Sequence, residues 1–253
     1  MKERSDFTND TIIWSADVPR LDIAAVINAK ALPEGTVIKL DRYFFETEDK
    51  SFIDWCQSRG YPVFCDAKII EIPVKAIAIA ETYLKYSPFM LNIMANAASS
   101  SVFDYNADEN QMDALKRFEI ACRIANTRSC IVTVLTSKTE KTCLYEYEEN
   151  SIKQVLKYVD LAHQAGITDI VCSPKEAAAI RKVSKYNDMW INTPGVRLPN
   201  SSKDDQARVT TPREALNNGA NRLVIGRDLI RGQGSVVERV QRNYEKILEN
   251  INS

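Results

Sequence analysis

The 253-residue chain contains a single histidine, His163, and only eight glycines. A Ser-His-Asp relay or a histidine-rich metal site would have to be built on His163. That residue falls in Asp160–Gly166, a stretch that reads as a helix end, where a C-terminal cation or a surface position is the simpler role. The six cysteines (56, 65, 122, 130, 143 and 172) are scattered and form no Cys-x-x-Cys pair. Cys65, Cys130 and Cys172 lie inside apolar runs, where a free thiol acts as a small core residue. This usage argues against a disulfide scaffold or a zinc site and points to a reduced, cytoplasmic protein. No apolar run approaches the roughly 20 residues a membrane span requires. The opening residues Met1–Asp6 carry acids and lack the apolar centre of a signal peptide. A formal net charge of -1 gives no overall electrostatic case for nucleic acid or an anionic membrane as partner. So few glycines also leave little room for wide loop flexibility.

What is present is ordinary for a globular chain: 45% hydrophobic and 26% charged residues. Short β-branched runs alternate with longer helical patterns. Strands are expected at 11–16, 37–40, 63–65, 89–93, 130–135, 169–172, 189–192 and 222–225. Helices are expected near 21–29, 49–59, 75–86, 111–125, 151–165, 175–183 and 235–250, with a short extra one at 211–218. Strands that read as continuous apolar runs suit a parallel sheet buried on both faces. Eight strand-helix units in about 250 residues is the count of a (β/α)8 TIM barrel, an α/β architecture, and a doubly wound open sheet is the alternative. No linker divides the chain, so residues 1–253 are expected to form a single domain.

In a barrel the chemistry lies at the C-terminal strand ends. The stretch Pro62–Pro73 delivers Asp66, Lys68 and Glu71 within six residues of a buried strand. Charges leaving water need partners, so this is either a solvated surface ion pair or a catalytic strand end whose groups tune one another. Strand one ends at Asp17, strand two contains Lys39, and strand five runs into Thr136. Strands seven and eight run into Thr193–Arg197 and Gly226-Arg227. Barrels often hold phosphate in the loops after these last two strands. There Arg197 and Arg227 offer bidentate hydrogen bonds and Gly226 permits close backbone approach. For Gly-Arg alone, a turn with a surface arginine is the plainer reading. The polar loop from Leu198 to Arg208 is long enough to close over a ligand.

Five ordered blocks, Val132–Ser137, Val171–Ala177, Thr193–Arg197, Asp204–Pro212 and Val224–Arg227, carry a resemblance to the orotidine 5'-phosphate decarboxylase family. It runs from about Ile12 to Arg231. The resemblance implies a homodimeric barrel with shared active sites, needing no metal or organic cofactor. It would convert orotidine 5'-monophosphate to uridine 5'-monophosphate in de novo pyrimidine biosynthesis. Position by position, Lys68 matches the lysine that protonates C6, and Asp66 the aspartate set against the substrate carboxylate. Lys39 matches the lysine between that acid and the ribose. Asp17 and Thr136 match ribose and base ligands, and Arg197, Gln206, Gly226 and Arg227 the phosphate grip and its lid. Two places depart from the family pattern. Glu71 stands where the family has an aspartate that reaches into the partner's site, and a misplacement on the order of 1 Å at such a site can cost roughly 10²-fold in rate. Met94 stands for a histidine, and Ala97 and Ala98 for glycines. A non-catalytic nucleotide-binding paralogue, or a phosphosugar lyase on the same barrel, would share most of these blocks.

Overall fold

A computed structural model of the protein describes residues 8–47, 50–97, 107–199 and 210–253. Eight parallel strands close on themselves in chain order, each paired with the next and the eighth with the first. The first half runs β1 (Ile12–Ser15), α1 (Arg20–Asn28), β2 (Val37–Asp41), α2 (Arg42–Thr47), α3 (Lys50–Ser58), β3 (Val63–Ile69), α4 (Pro73–Leu84), β4 (Met90–Met94) and α5 (Ala107–Ile124). The second half runs β5 (Arg128–Val132), α6 (Glu140–Tyr147), α7 (Ser151–Gln164), β6 (Asp169–Val171), α8 (Pro174–Ile180), β7 (Trp190–Thr193), α9 (Pro212–Asn217), β8 (Arg222–Ile225), α10 (Arg227–Ile230) and α11 (Val236–Asn252). The closed order makes this a (β/α)8 barrel and removes the open-sheet alternative.

The expected strands are all present, with shifted ends. β5 stops at Val132 rather than reaching Leu135, and β3 continues through Asp66 and Lys68 to Ile69 instead of ending at Cys65. Three short helices were not anticipated: α2, α6 and α10. Each is eight residues or fewer and follows directly on a strand or loop rich in polar residues, so no long apolar period announces it. Asp49, placed at the start of the second helix, lies outside the described residues, as does Ala98.

Local sequence explains the helix starts. In α9 and α11, Thr211 with Glu214 and Ser235 with Glu238 form reciprocal capping boxes. Each satisfies two of the backbone N–H groups that a helix start leaves without partners.

Alternation along the strands then sorts the side chains. Ile13, Val37, Phe64, Met90, Cys130 and Val224 point inward and pack as one layer inside the barrel. Their neighbours, among them Trp14, Ile38, Cys65, Leu91 and Ile131, point outward and pack under the helices. Both strand faces are therefore dry, which is why the strands read as unbroken apolar runs. Truncating Phe64 to alanine in such a packed layer costs about 3–5 kcal/mol by the usual large-to-small rule.

Candidate active site

Two residues beyond each member of the inner layer, the same alternation places a second ring at the barrel mouth. Ser15 follows Ile13, Lys39 follows Val37, Asp66 follows Phe64, Asn92 follows Met90, Val132 follows Cys130, and Gly226 follows Val224. All six line a cleft of about 270 Å³ together with Asp17, Lys68, Thr136, Arg197 and Arg227. Phe64, Val132, Val171 and Val224 give it an apolar floor.

On one side of the cleft stands a charge array. The Lys39 Nζ donates to Asp66 Oδ2 at 2.5 Å, and the Lys68 Nζ reaches the same oxygen at 2.6 Å. Lys39 and Asp66 are buried, whereas the Lys68 side chain remains 45% exposed. Burial alone would push the Asp66 carboxyl up, but the charges of Lys39 and Lys68 outweigh it and hold Asp66 well below the usual carboxylate range. For Lys39, burial favours the neutral amine; Asp66, Asp17 and Asp41 overcome it and raise its pKa. Asp66 is thus held as the carboxylate and Lys39 as the ammonium, and both lysines reach one carboxylate oxygen.

A bulge presents these groups. From Cys65 to Ile69 β3 advances four residues while its partner β4 advances two, from Leu91 to Ile93. Asp66, Ala67 and Lys68 occupy the extra length, and Lys68 adopts a left-handed φ of 44°. Bulges re-aim side chains and recur beside active sites. The surface-ion-pair reading of this stretch is set aside for Asp66, which is 8% exposed and faces the cleft.

Across the cleft lies the arginine side. Arg197 is buried, donates to the Val196 carbonyl at 3.0 Å, and faces Asp228 Oδ1 at 3.7 Å. Asp228, itself buried, also accepts from the Leu198 N–H at 2.7 Å and faces Arg231 at 3.5 Å. Asp228 therefore ties the loop after β7 to the start of α10. Gly195 has φ of 76°, a backbone position that favours glycine. A Cβ added to Gly226 would stand 3.2 Å from the Ser15 Cβ, so glycine lets β8 close tightly against β1.

The sequence-expected residues divide as follows. Asp17, Lys39, Asp66, Lys68, Thr136, Arg197, Gly226 and Arg227 meet in one cleft. Glu71 does not: it is exposed beyond the bulge, its carboxylate accepting from the Ile72 N–H at 3.1 Å. Gln206 lies outside the described residues, as do positions 200–208 of the loop expected to act as a lid. Met94 is buried at the end of β4. Asn92, Ser15 and Asp228 were not anticipated. A polar residue inside the apolar run Met90–Met94, in step with Met90, was the available signal for Asn92. Among the described residues no group of three or more His, Cys, Asp or Glu side chains is disposed to hold a metal ion, and no helix is long and apolar enough to cross a membrane.

Ionised side chains and arginines gathered at the C-terminal mouth of a closed parallel barrel mark an enzyme of the (β/α)8 class. Within that class the chain belongs to the orotidine 5'-phosphate decarboxylase / HUMPS family, whose model matches residues 10–242. It is 32% identical to an orotidine 5'-phosphate decarboxylase of Chromohalobacter salexigens over 85% of this chain and 87% of the relative. It is 29% identical to that of Dictyoglomus thermophilum over 96% of each. The crystal structure of orotidine 5'-phosphate decarboxylase from Lactobacillus acidophilus superposes with a TM-score of 0.71 at 22% identity, covering 96% of this chain and 99% of that one. That last likeness concerns the fold.

Proposed function

We propose that this protein decarboxylates orotidine 5'-monophosphate to uridine 5'-monophosphate in pyrimidine biosynthesis, without a metal or organic cofactor. The observation that carries the reading is the contact of Lys39 and Lys68 with one oxygen of Asp66, set beside an apolar floor and in one cleft with two arginines. In the reaction the bond from C6 to the carboxylate breaks, carbon dioxide leaves, and the electron pair remains on C6. The Lys68 ammonium stands ready to stabilise that carbanion and then to protonate it, regaining its own proton from water. Asp66, kept anionic by its two lysines, faces the substrate carboxylate and disfavours the ground state. Lys39 holds Asp66 and reaches toward the ribose, which Asp17 and Thr136 also contact. Arg197, Arg227, Gly226 and Gln206 take the phosphate, whose binding energy supports strain at the distant reacting carbon.

Glu71 completes this proposal. On its own chain it does not line the cleft, and exposed Ile70, Ile72 and Val74 stand beside it in the sequence. We infer a homodimer of the cytoplasm in which Glu71 enters the other copy's cleft and extends the alternating array.

Purified protein incubated with orotidine 5'-monophosphate should lose substrate absorbance and yield uridine 5'-monophosphate equally with and without chelator. Absence of turnover would refute the reading, and uridine 5'-monophosphate binding without turnover would instead identify a nucleotide-binding paralogue. For the shared site, Lys68→Ala and Glu71→Ala proteins should each be nearly inactive, and mixing them should restore about a quarter of parental activity through mixed dimers. No recovery on mixing, with subunit exchange verified, would remove Glu71 from the partner's cleft.

A further inference from the structure

Asn92 is the one residue of β4 that stands between the pairs Cys65–Leu91 and Ile69–Ile93, opposite the bulge of β3. It is 1% exposed and lines the cleft. Its Oδ1 accepts from the Lys68 backbone N–H at 2.7 Å, and its Nδ2 donates to Asp66 Oδ1 at 2.7 Å. The orientation of the amide is forced. Reversed, it would set N–H against N–H and oxygen against a carboxylate.

We propose that Asn92 is a positioning residue for decarboxylation, holding Lys68 and Asp66 in their reactive arrangement through one side-chain amide. This rests on the decarboxylase reading given above. A bulge leaves ladder groups of the longer strand without their usual partners, and a buried backbone N–H needs an acceptor. Asn92 supplies that acceptor at the residue whose left-handed φ aims the proton donor. By occupying Asp66 Oδ1 it also leaves Oδ2 as the oxygen that both lysines share. One side chain thereby couples the backbone of the proton donor to the orientation of its acidic neighbour. An apolar residue at this place would pack as well against the inner layer but would give neither bond. The requirement at position 92 is thus a donor and an acceptor on one short planar group.

The test joins steady-state kinetics with a crystal structure of the Asn92→Ala protein. In the variant kcat should fall about 10²-fold, the scale of a misplacement on the order of 1 Å. KM and uridine 5'-monophosphate affinity should stay within about threefold of the parent, because the phosphate grip across the cleft is untouched. In the crystal, Lys68 should leave the left-handed region and its Nζ should move beyond about 3.5 Å from Asp66. If alanine prevents folding, Asn92→Asp is nearly isosteric and retains the acceptor for the Lys68 N–H while removing the donor to Asp66. It should lower kcat with KM held. An unchanged kcat in either folded variant would overturn the proposal. So would a loss of kcat with Lys68 and Asp66 unmoved in the alanine variant, or an equal loss of nucleotide affinity. A parent that does not turn over orotidine 5'-monophosphate would refute the decarboxylase reading, whereas the displacement of Lys68 would still decide what Asn92 holds.

Discussion

The barrel carries a buried charge cluster at each end, and the two are built on opposite plans. At the mouth, Lys39 and Lys68 share one oxygen of Asp66, and Lys68 remains open to the cleft. At the base, Arg222 donates to Asp169 at 3.0 Å and, through two nitrogens, to Asp10 at 3.0 and 2.8 Å. Arg128 takes the other oxygen of Asp169 at 2.8 Å. Arg222 is 2% exposed and lies 4.2 Å from the centre of the Trp190 ring, so that it seals the strand starts like a lid of its own. Two cations meet two anions there, and the forked geometry of arginine fills the carboxylate oxygens. The base is charge-balanced and closed. The mouth array has an excess lysine and a cavity beside it. Buried ions that saturate one another hold a structure together, while buried ions with one valence left over can act on a ligand.

Breaking each cluster should therefore have different consequences. The largest effect belongs to Lys68→Ala, expected to lower decarboxylation by about 10³-fold, the middle of the range for a positioned proton donor. Its melting temperature should change little, since Asp66 keeps Lys39. A variant retaining near-parental rate would reassign the proton donor. Asp169→Ala should do the reverse. It leaves buried Arg222 without that anion and half-buried Arg128 unpaired from it, a loss of about 3–5 kcal/mol for a broken buried pair, measurable by urea unfolding, while kcat per folded molecule stays parental. A stable Asp169→Ala protein would show that the base is not a structural seal.

Lys39→Ala sharpens the comparison through pH. Burial raises the Asp66 pKa and two lysines lower it. With one lysine removed the balance moves up, and the acid limb of the kcat/KM profile should rise by about 1–3 pH units. Because the folded pKa lies below the unfolded one, the stability Asp66 contributes is present above about pH 4 and is lost as pH falls through the folded pKa. The variant, with this gap narrowed, should therefore lose less stability than the parent on acidification. An acid limb unmoved from the parent would separate Lys39 from the ionisation of Asp66. The smallest effect is expected for Gly226→Ala. The new Cβ would press on Ser15 at 3.2 Å, and a shift of a few tenths of an ångström should raise KM by about tenfold or less with kcat nearly held. A parental KM would show that β8 and β1 can yield there at no expense to the phosphate side.

Much of the mouth was legible along the chain. Asp66 and Lys68 stand two apart on a strand, and the glycine and arginines follow strands seven and eight. Glu71 was equally visible, yet its spacing said nothing of its leaving the cleft of its own chain once the bulge turned the backbone. The partners of Asn92 and of the base cluster were illegible for a common reason. Asn92 meets Asp66 across 26 positions, and Arg222 meets Asp10 across 212.

What the amino-acid sequence determined by itself was therefore periodic and local. Apolar runs buried on both faces specified eight strands, S/T-x-x-E boxes started helices, and alternation assigned each strand residue to the barrel interior or the helix layer. Tertiary structure decided which of those interior residues meet. Barrel closure brought Asp10 beneath Arg222, and the register slip between β3 and β4 set Lys68 and Asp66 on the amide of Asn92. Those contacts depend on strand stagger and ring closure, which are properties of all eight strands together and of no single stretch.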